Sequence, residues 1–157
     1  YAKAEDLAPL GATLKELDVV VSTADFLVIM CPLDDTTRGM IGARVLRLMK
    51  RSAFLVNMAR GPIVDEKALY LALKERRIAG AATVVFEQEP TPVDNPLLAL
   101  DNIIVAPHAM TYTEEGLRML AEGGFKSARA FFNRQMPYRV CNPEVLETPA
   151  LKAWFAR

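Results

Sequence analysis

The sequence predicts an open α/β fold, with parallel strands buried on both faces and helices between them. Three observations carry this expectation. Four short apolar runs rich in β-branched residues mark the first two thirds of the chain, at residues 26–30, 53–56, 81–86 and 103–105. None alternates apolar with polar, the habit of strands covered on both sides. Helix-like stretches lie between them, and a strand–helix–strand rhythm implies right-handed crossovers into one parallel sheet.

Taken in order, residues 14–22 read as a short helix leading into the first strand. Residues 43–50 place Leu46 and Met49 on the side of Ala43, the spacing of an amphipathic helix. Asp65 is a capping residue for a helix whose apolar face is Leu69, Ala72 and Leu73, ending near Gly80. Residues 91–102, with Pro92 and Pro96, form a linker with room for one helical turn. After His108 the pattern changes. Thr111 and Glu114 have the spacing of a capping box. They precede a long helix with Leu117, Leu120, Ala121, Phe125, Ala128, Phe131 and Phe132 at helical intervals. Gly123 and Gly124 inside it cost roughly 1 kcal/mol each relative to Ala, which a close helix or backbone approach would offset. The tail, residues 135–157 with Pro137, Pro143 and Pro149, reads as an extended arm. The expected division is residues 1–112 and residues 113–157.

Composition narrows the function classes. The chain has 157 residues, 52% hydrophobic and 24% charged, with 19 basic side chains against 19 acidic. Zero net charge and no basic stripe argue against nucleic acid as the main partner. Arg47, Lys50 and Arg51 read as a solvated helix end. Cys31 and Cys141 stand in no CxxC or metal-type spacing, so no metal site is expected. No apolar run reaches membrane-spanning length, and a reduced, cytoplasmic protein is the expectation. The chain opens on Tyr1 rather than Met, which points to a piece of a longer polypeptide.

Each predicted strand is followed at once by polar or reactive residues. The first leads to Cys31-Pro32, the second to Asn57-Met58-Ala59-Arg60-Gly61, the third to Glu87-Gln88-Glu89-Pro90, the fourth to Pro107-His108. Ligands of open parallel sheets bind beyond the carboxyl ends of the strands, so a guanidinium, a carboxylate and the only imidazole should converge on one rim. Singly, each has an ordinary alternative as a solvated loop residue. Together they match the needs of a 2-hydroxy acid. Arg grips a carboxylate in a fork, His exchanges a proton with the hydroxyl oxygen, and a neighbouring carboxylate orients the imidazole. Spacing leaves Glu87 and Glu89 equally eligible for the last role.

At these residues the chain resembles the D-isomer-specific 2-hydroxyacid dehydrogenases, a family that includes phosphoglycerate dehydrogenase and the glyoxylate/hydroxypyruvate reductases. Cys31-Pro32-Leu33 with Thr37, Arg38 and Gly39 resembles its strand-end loop. Residues 57–65 resemble its arginine motif, residues 85–90 its glutamate motif, and Ala106-Pro107-His108 its histidine motif. The similarity runs from about Leu14 to Asn142. It implies the second half of a Rossmann-type sheet with flanking helices, a long C-terminal helix and an extended tail, the C-terminal part of the parent enzyme. It implies NAD or NADP as cofactor, a small 2-oxo or 2-hydroxy acid as substrate, and a homodimeric parent. By position, Arg60 holds the substrate carboxylate, His108 donates the proton, and Glu89, not Glu87, pairs with the imidazole. Cys31, Pro32, Thr37, Met58, Ala59, Arg60, Val84, His108 and Met110 fall on the cofactor side.

Two departures from the family pattern matter. Val84 stands where the family carries an Asp that contacts the nicotinamide end, and Met110-Thr111 replaces a pair of small residues. No G-x-G-x-x-G occurs in the sequence, so the pyrophosphate-binding helix start is missing. This chain alone is therefore expected to be inactive or nearly so. The family also contains cofactor-sensing corepressors, and Val84 leans towards that alternative; Arg60, Glu89 and His108 favour the enzyme.

Overall fold

The computed structural model describes residues 3–138 and 140–156. The outer ends of the two expected segments, Tyr1, Ala2 and Arg157, lie outside the described residues. Four strands form one sheet: β1 (Phe26–Ile29), β2 (Phe54–Asn57), β3 (Gly80–Thr83) and β4 (Ile103–Val105). Their order is β1-β2-β3-β4 and every pairing is parallel. The third apolar run does not stay in the sheet to its end. β3 ends at Thr83, whose Oγ1 donates to the Val85 carbonyl at 2.7 Å, while the Val84 N–H still donates to the Asn57 carbonyl at 3.2 Å.

The helices are α1 (Ala4–Leu7), α2 (Leu17–Thr23), α3 (Ala43–Leu48) and α4 (Glu66–Lys74). α1 and the 3₁₀ turn after it, Ala8–Leu10, carry too short a pattern to be read from sequence. α4 is capped as expected: Asp65 Oδ1 accepts from the Ala68 N–H at 2.8 Å. It buries Ala68, Leu69, Ala72 and Leu73, the face that the sequence spacing marks. It stops at Lys74, and Arg76 with φ 52° turns the chain well before Gly80. A second 3₁₀ turn, Pro96–Ala99, occupies the linker and is capped by Asn95.

Burial departs from the expectation of a doubly covered sheet. Leu27, Ile29, Leu55, Ala81 and Thr83 are buried, whereas Phe26 is 67% exposed and Ile104 74%. Strands laid down in simple sequence order by right-handed crossovers place their connecting helices on one face. α3 and α4 accordingly pack on each other, and Leu46, Leu73, Ile63 and Ile78 fill the core beneath them. The opposite face keeps its apolar side chains, with Phe26 and Phe54 stacked at 5.5 Å between ring centroids.

The chain separates into two compact units, Tyr1–His108 and Ala109–Arg157; the sequence had placed the division at 112/113. In the second unit, α5 (Glu114–Phe132) is capped by Thr113, whose Oγ1 accepts from the Gly116 N–H at 3.0 Å. The expected Thr111 cap is not formed. The Thr111 carbonyl instead lies so close to Gly116 that a Cβ there would come within 2.4 Å of it. Among the described residues, no atom lies within 4 Å of a would-be Cβ at Gly123 or Gly124. The tail is not extended throughout. It forms a 3₁₀ turn, Pro143–Glu147, and α6 (Pro149–Phe155), with proline in the first turn of each, where its missing N–H is harmless. Trp154 stacks on Phe131 at 5.3 Å and its indole N–H donates to the Phe131 carbonyl at 3.0 Å. That contact buries aromatic surface that an extended arm would leave in water.

The one-sided core predicts an asymmetric response to truncation. Leu73→Ala should lower the stability of the chain by about 2–5 kcal/mol, and Ile104→Ala by no more than about 0.5 kcal/mol. Urea denaturation of the two variants checks this; equal losses would overturn the one-sided packing.

Candidate functional site

The parallel register aligns Ile29 with Asn57, Asn57 with Thr83, and Thr83 with Val105. The four strands thus end level, and the residues that follow them share one rim. This is the convergence that the sequence predicts.

Arg60 is placed by the end of β2. Asn57 is buried; its Oδ1 accepts from the Ala59 N–H and its Nδ2 donates to the Arg60 carbonyl, each at 3.1 Å. One amide therefore replaces the lost strand partners and fixes the turn. Arg60 Nη1 donates to the Ala59 carbonyl at 2.6 Å. Gly61 follows by necessity. A Cβ there would lie 1.9 Å from the carbonyl carbon and oxygen of Phe86 and 2.5 Å from the Glu87 nitrogen. The arginine loop and the glutamate loop meet backbone to backbone.

Glu89 and His108 form a pair. Glu89 Oε2 is 2.8 Å from His108 Nδ1, and Glu89 Oε1 accepts from the Phe86 N–H at 2.9 Å. The hydrogen bond from His108 holds the Glu89 carboxyl below the usual carboxylate range; partial burial opposes it, and the Phe86 N–H and the nearby Arg60 charge add to it. His108 has a left-handed backbone, φ 43°, and its N–H donates to the Val84 carbonyl at 2.8 Å. With Nδ1 engaged by Glu89, Nε2 is the nitrogen left for proton exchange.

Two open clefts flank these groups. One, of about 620 Å³, is lined by Met30, Cys31, Pro32, Met58, Ala59 and Arg60. The other, of about 550 Å³, is lined by Val84, Phe86, Glu89, Pro90, Thr91 and His108. Of the residues singled out in the sequence, Cys31, Pro32, Met58, Ala59 and Arg60 share the first cleft, and Val84, Glu89 and His108 share the second. Thr37 lines neither. It is 9% exposed, and its Oγ1 donates to the Pro32 carbonyl at 2.8 Å and accepts from the Asp34 N–H at 2.9 Å, which shapes the loop behind the cleft. Met110 belongs to the second unit and is exposed. Among the described residues, no group of three or more His, Cys, Asp or Glu is placed to hold a metal ion, and no helix is long and apolar enough to cross a membrane.

Three contributors escaped the sequence reading as functional residues: Asn57, Gly61 and the Phe86 backbone. The only signals were a polar Asn closing an apolar run and a Gly directly after Arg60. Glu87 was named but given no partner. It turns away from the imidazole, and its Oε1 accepts from the Glu66 N–H at 3.0 Å.

Residues 1–109 match the family model described as D-isomer specific 2-hydroxyacid dehydrogenase, NAD binding domain. The chain is 45% identical over 138 residues to a glyoxylate reductase of Korarchaeum cryptofilum, covering 88% of this chain and 42% of the relative. It is 42% identical over 131 residues to glyoxylate/hydroxypyruvate reductase B of Enterobacter agglomerans, covering 83% and 41%. The NAD-complexed D-isomer specific 2-hydroxyacid dehydrogenase of Lactobacillus delbrueckii ssp. bulgaricus superposes with a TM-score of 0.81 at 30% identity, over 88% of this chain and 46% of that one. The chain thus spans less than half the length of these relatives. With its level parallel strands and its guanidinium and carboxylate–imidazole pair on one rim, the chain belongs to the D-isomer specific 2-hydroxyacid dehydrogenase family.

Proposed function

We propose that this chain supplies the substrate-carboxylate grip, the proton donor and the nicotinamide-side wall of an NAD- or NADP-dependent oxidoreductase acting on a small 2-oxo acid. The observation that carries the reading is the 2.8 Å contact of Glu89 with His108 beside Arg60. The relatives named as glyoxylate and hydroxypyruvate reductases support glyoxylate-like substrates. Their greater length supports a parent polypeptide in which this chain is one part.

The clefts fit the reactive end of a nicotinamide cofactor: Cys31, Pro32, Met58 and Ala59 offer small or apolar surface for a flat ring. When bound, the cofactor supplies the hydride. Arg60 binds the substrate carboxylate through paired N–H donors and orients the carbonyl. His108 passes its proton to the carbonyl oxygen as charge develops there. Glu89 holds the ring in place for that transfer. The sequence contains no G-x-G-x-x-G, so the pyrophosphate grip comes from elsewhere in the parent. The isolated chain should therefore show no steady NADH oxidation.

In the parent, His108→Gln should lower kcat by about 10²–10⁴, with glyoxylate or hydroxypyruvate as the assayed substrate. Full turnover in this variant would overturn the assignment of the proton donor. Val84 bears on the second reading, a cofactor-sensing member of the same family, because its side chain cannot accept a hydrogen bond from a carboxamide. Val84→Asp should tighten NADH binding and raise turnover; unchanged values for both would remove Val84 as a weakness of the site.

The Glu89 carboxyl also predicts a pH dependence of folding. Its proton affinity is lower in the folded chain than in the unfolded one, so its contribution is present above the ordinary carboxylate range. It fades as pH falls through the lowered midpoint. The stability gap between the wild type and Glu89→Gln should therefore shrink between about pH 5 and about pH 3, read by denaturant midpoints. A gap that stays constant over that interval would refute it.

A further inference from the structure

We infer that Glu66 and Glu87 are positioning residues that clasp the Glu89-bearing loop to the start of α4 and so hold Glu89 against His108. The inference rests on the reading of Glu89 and His108 as the acid–base pair and names what keeps that pair assembled.

The clasp is reciprocal. The Glu66 N–H donates to Glu87 Oε1 at 3.0 Å, and the Glu87 N–H donates to Glu66 Oε1. The second oxygen of Glu66, Oε2, accepts from Asn95 Nδ2 at 2.9 Å. Asn95 Oδ1 in turn accepts from the Leu97 N–H at 3.0 Å and starts the Pro96–Ala99 turn. One carboxylate therefore ties both sides of the loop that runs from Phe86 past Glu89 to Asn95. The Glu87 carboxylate meets α4 at its first residue, where a free N–H and the helix dipole favour an anion.

Gly61 supplies the opposing surface. The Phe86–Glu87 peptide presses on it so closely that no Cβ fits, and Arg60 is its chain neighbour. That peptide has Gly61 packed against it and its Glu87 N–H bound by the clasp. The Phe86 N–H from the same stretch donates to Glu89 Oε1 at 2.9 Å, leaving Oε2 for His108. Displacing the peptide withdraws a hydrogen bond from Glu89 and changes its spacing from Arg60 together. A carboxylate merely bracing a helix start would do neither.

The test uses the parent polypeptide in solution, with the His108 imidazole signals assigned by their loss in His108→Asn. Carboxyl ¹³C titration of Glu89 and the ¹⁵N shift of His108 Nδ1 are followed in Glu87→Ala, Glu87→Gln and His108→Asn. His108→Asn should move the Glu89 midpoint upward, towards the ordinary carboxylate range. Glu87→Ala should move it the same way by a comparable shift and perturb His108 Nδ1. Glu87→Gln keeps an acceptor for the Glu66 N–H and should leave both signals in place. If Glu87→Ala does not fold, Glu87→Asp, one methylene too short to reach, should reproduce the shift. A Glu89 midpoint that moves in His108→Asn but not in Glu87→Ala or Glu87→Asp overturns the clasp. A midpoint unmoved in His108→Asn overturns the pair itself.

Discussion

The level ending of the parallel strands is the constraint on which the site depends. Because Ile29, Asn57, Thr83 and Val105 are in register, the chain leaves the sheet four times along one line. Each exit deposits its next few residues on the same rim. A slip of one residue in any pairing would turn that strand's buried side chains outward and carry its exit loop with them. The apolar residues Leu27, Ile29 and Leu55 under the helices thus fix the register, and through it the place of Arg60, Glu89 and His108. Core packing and site geometry are one problem here.

The four strands and the residues that follow each of them were legible in the sequence, because both rest on local signals. Unbroken apolar runs mark strands, and the residue after each run is read directly. The missing cover on one face was not legible. Phe26, Val28 and Ile104 have the composition of doubly buried strands, yet whether a second layer covers them depends on chain beyond their neighbourhood. The Thr113 cap shows the same limit on a smaller scale. Thr111 and Glu114 have the right spacing, but the closeness of the Thr111 carbonyl to Gly116 decides where α5 begins, and no spacing rule contains that contact.

The two glutamates of the third loop show what spacing alone could not choose. Glu87 and Glu89 lie two residues apart, the same side chain on the same loop, and both are exposed. Their fates are set by the acceptor-starved groups each can reach. Glu87 finds the open N–H at the start of α4, and Glu89 finds the imidazole and the Phe86 N–H. The family resemblance names Glu89 as the partner of the imidazole, and in the structure Glu89 Oε2 lies 2.8 Å from His108 Nδ1. Asn57 was similarly invisible as a site residue. A buried amide at a strand end gains its meaning only from the two backbone groups it satisfies.

His108 completes the arrangement with an unfavourable backbone. A left-handed conformation costs an ordinary residue roughly 1–2 kcal/mol, and at φ 43° His108 bears such a cost. The hydrogen bond from its N–H to Val84 and the bond from its ring to Glu89 are what oppose relaxation. Both partners come from the loop after β3, so the strained backbone and the oriented imidazole are held by a single neighbouring segment. His108 is also the last residue of the first compact unit. All three site side chains therefore belong to one unit, whose sheet and exit loops set the geometry that joins them. The integrity of the Glu89–His108 pair depends on how firmly the loop between Val84 and Glu89 is anchored.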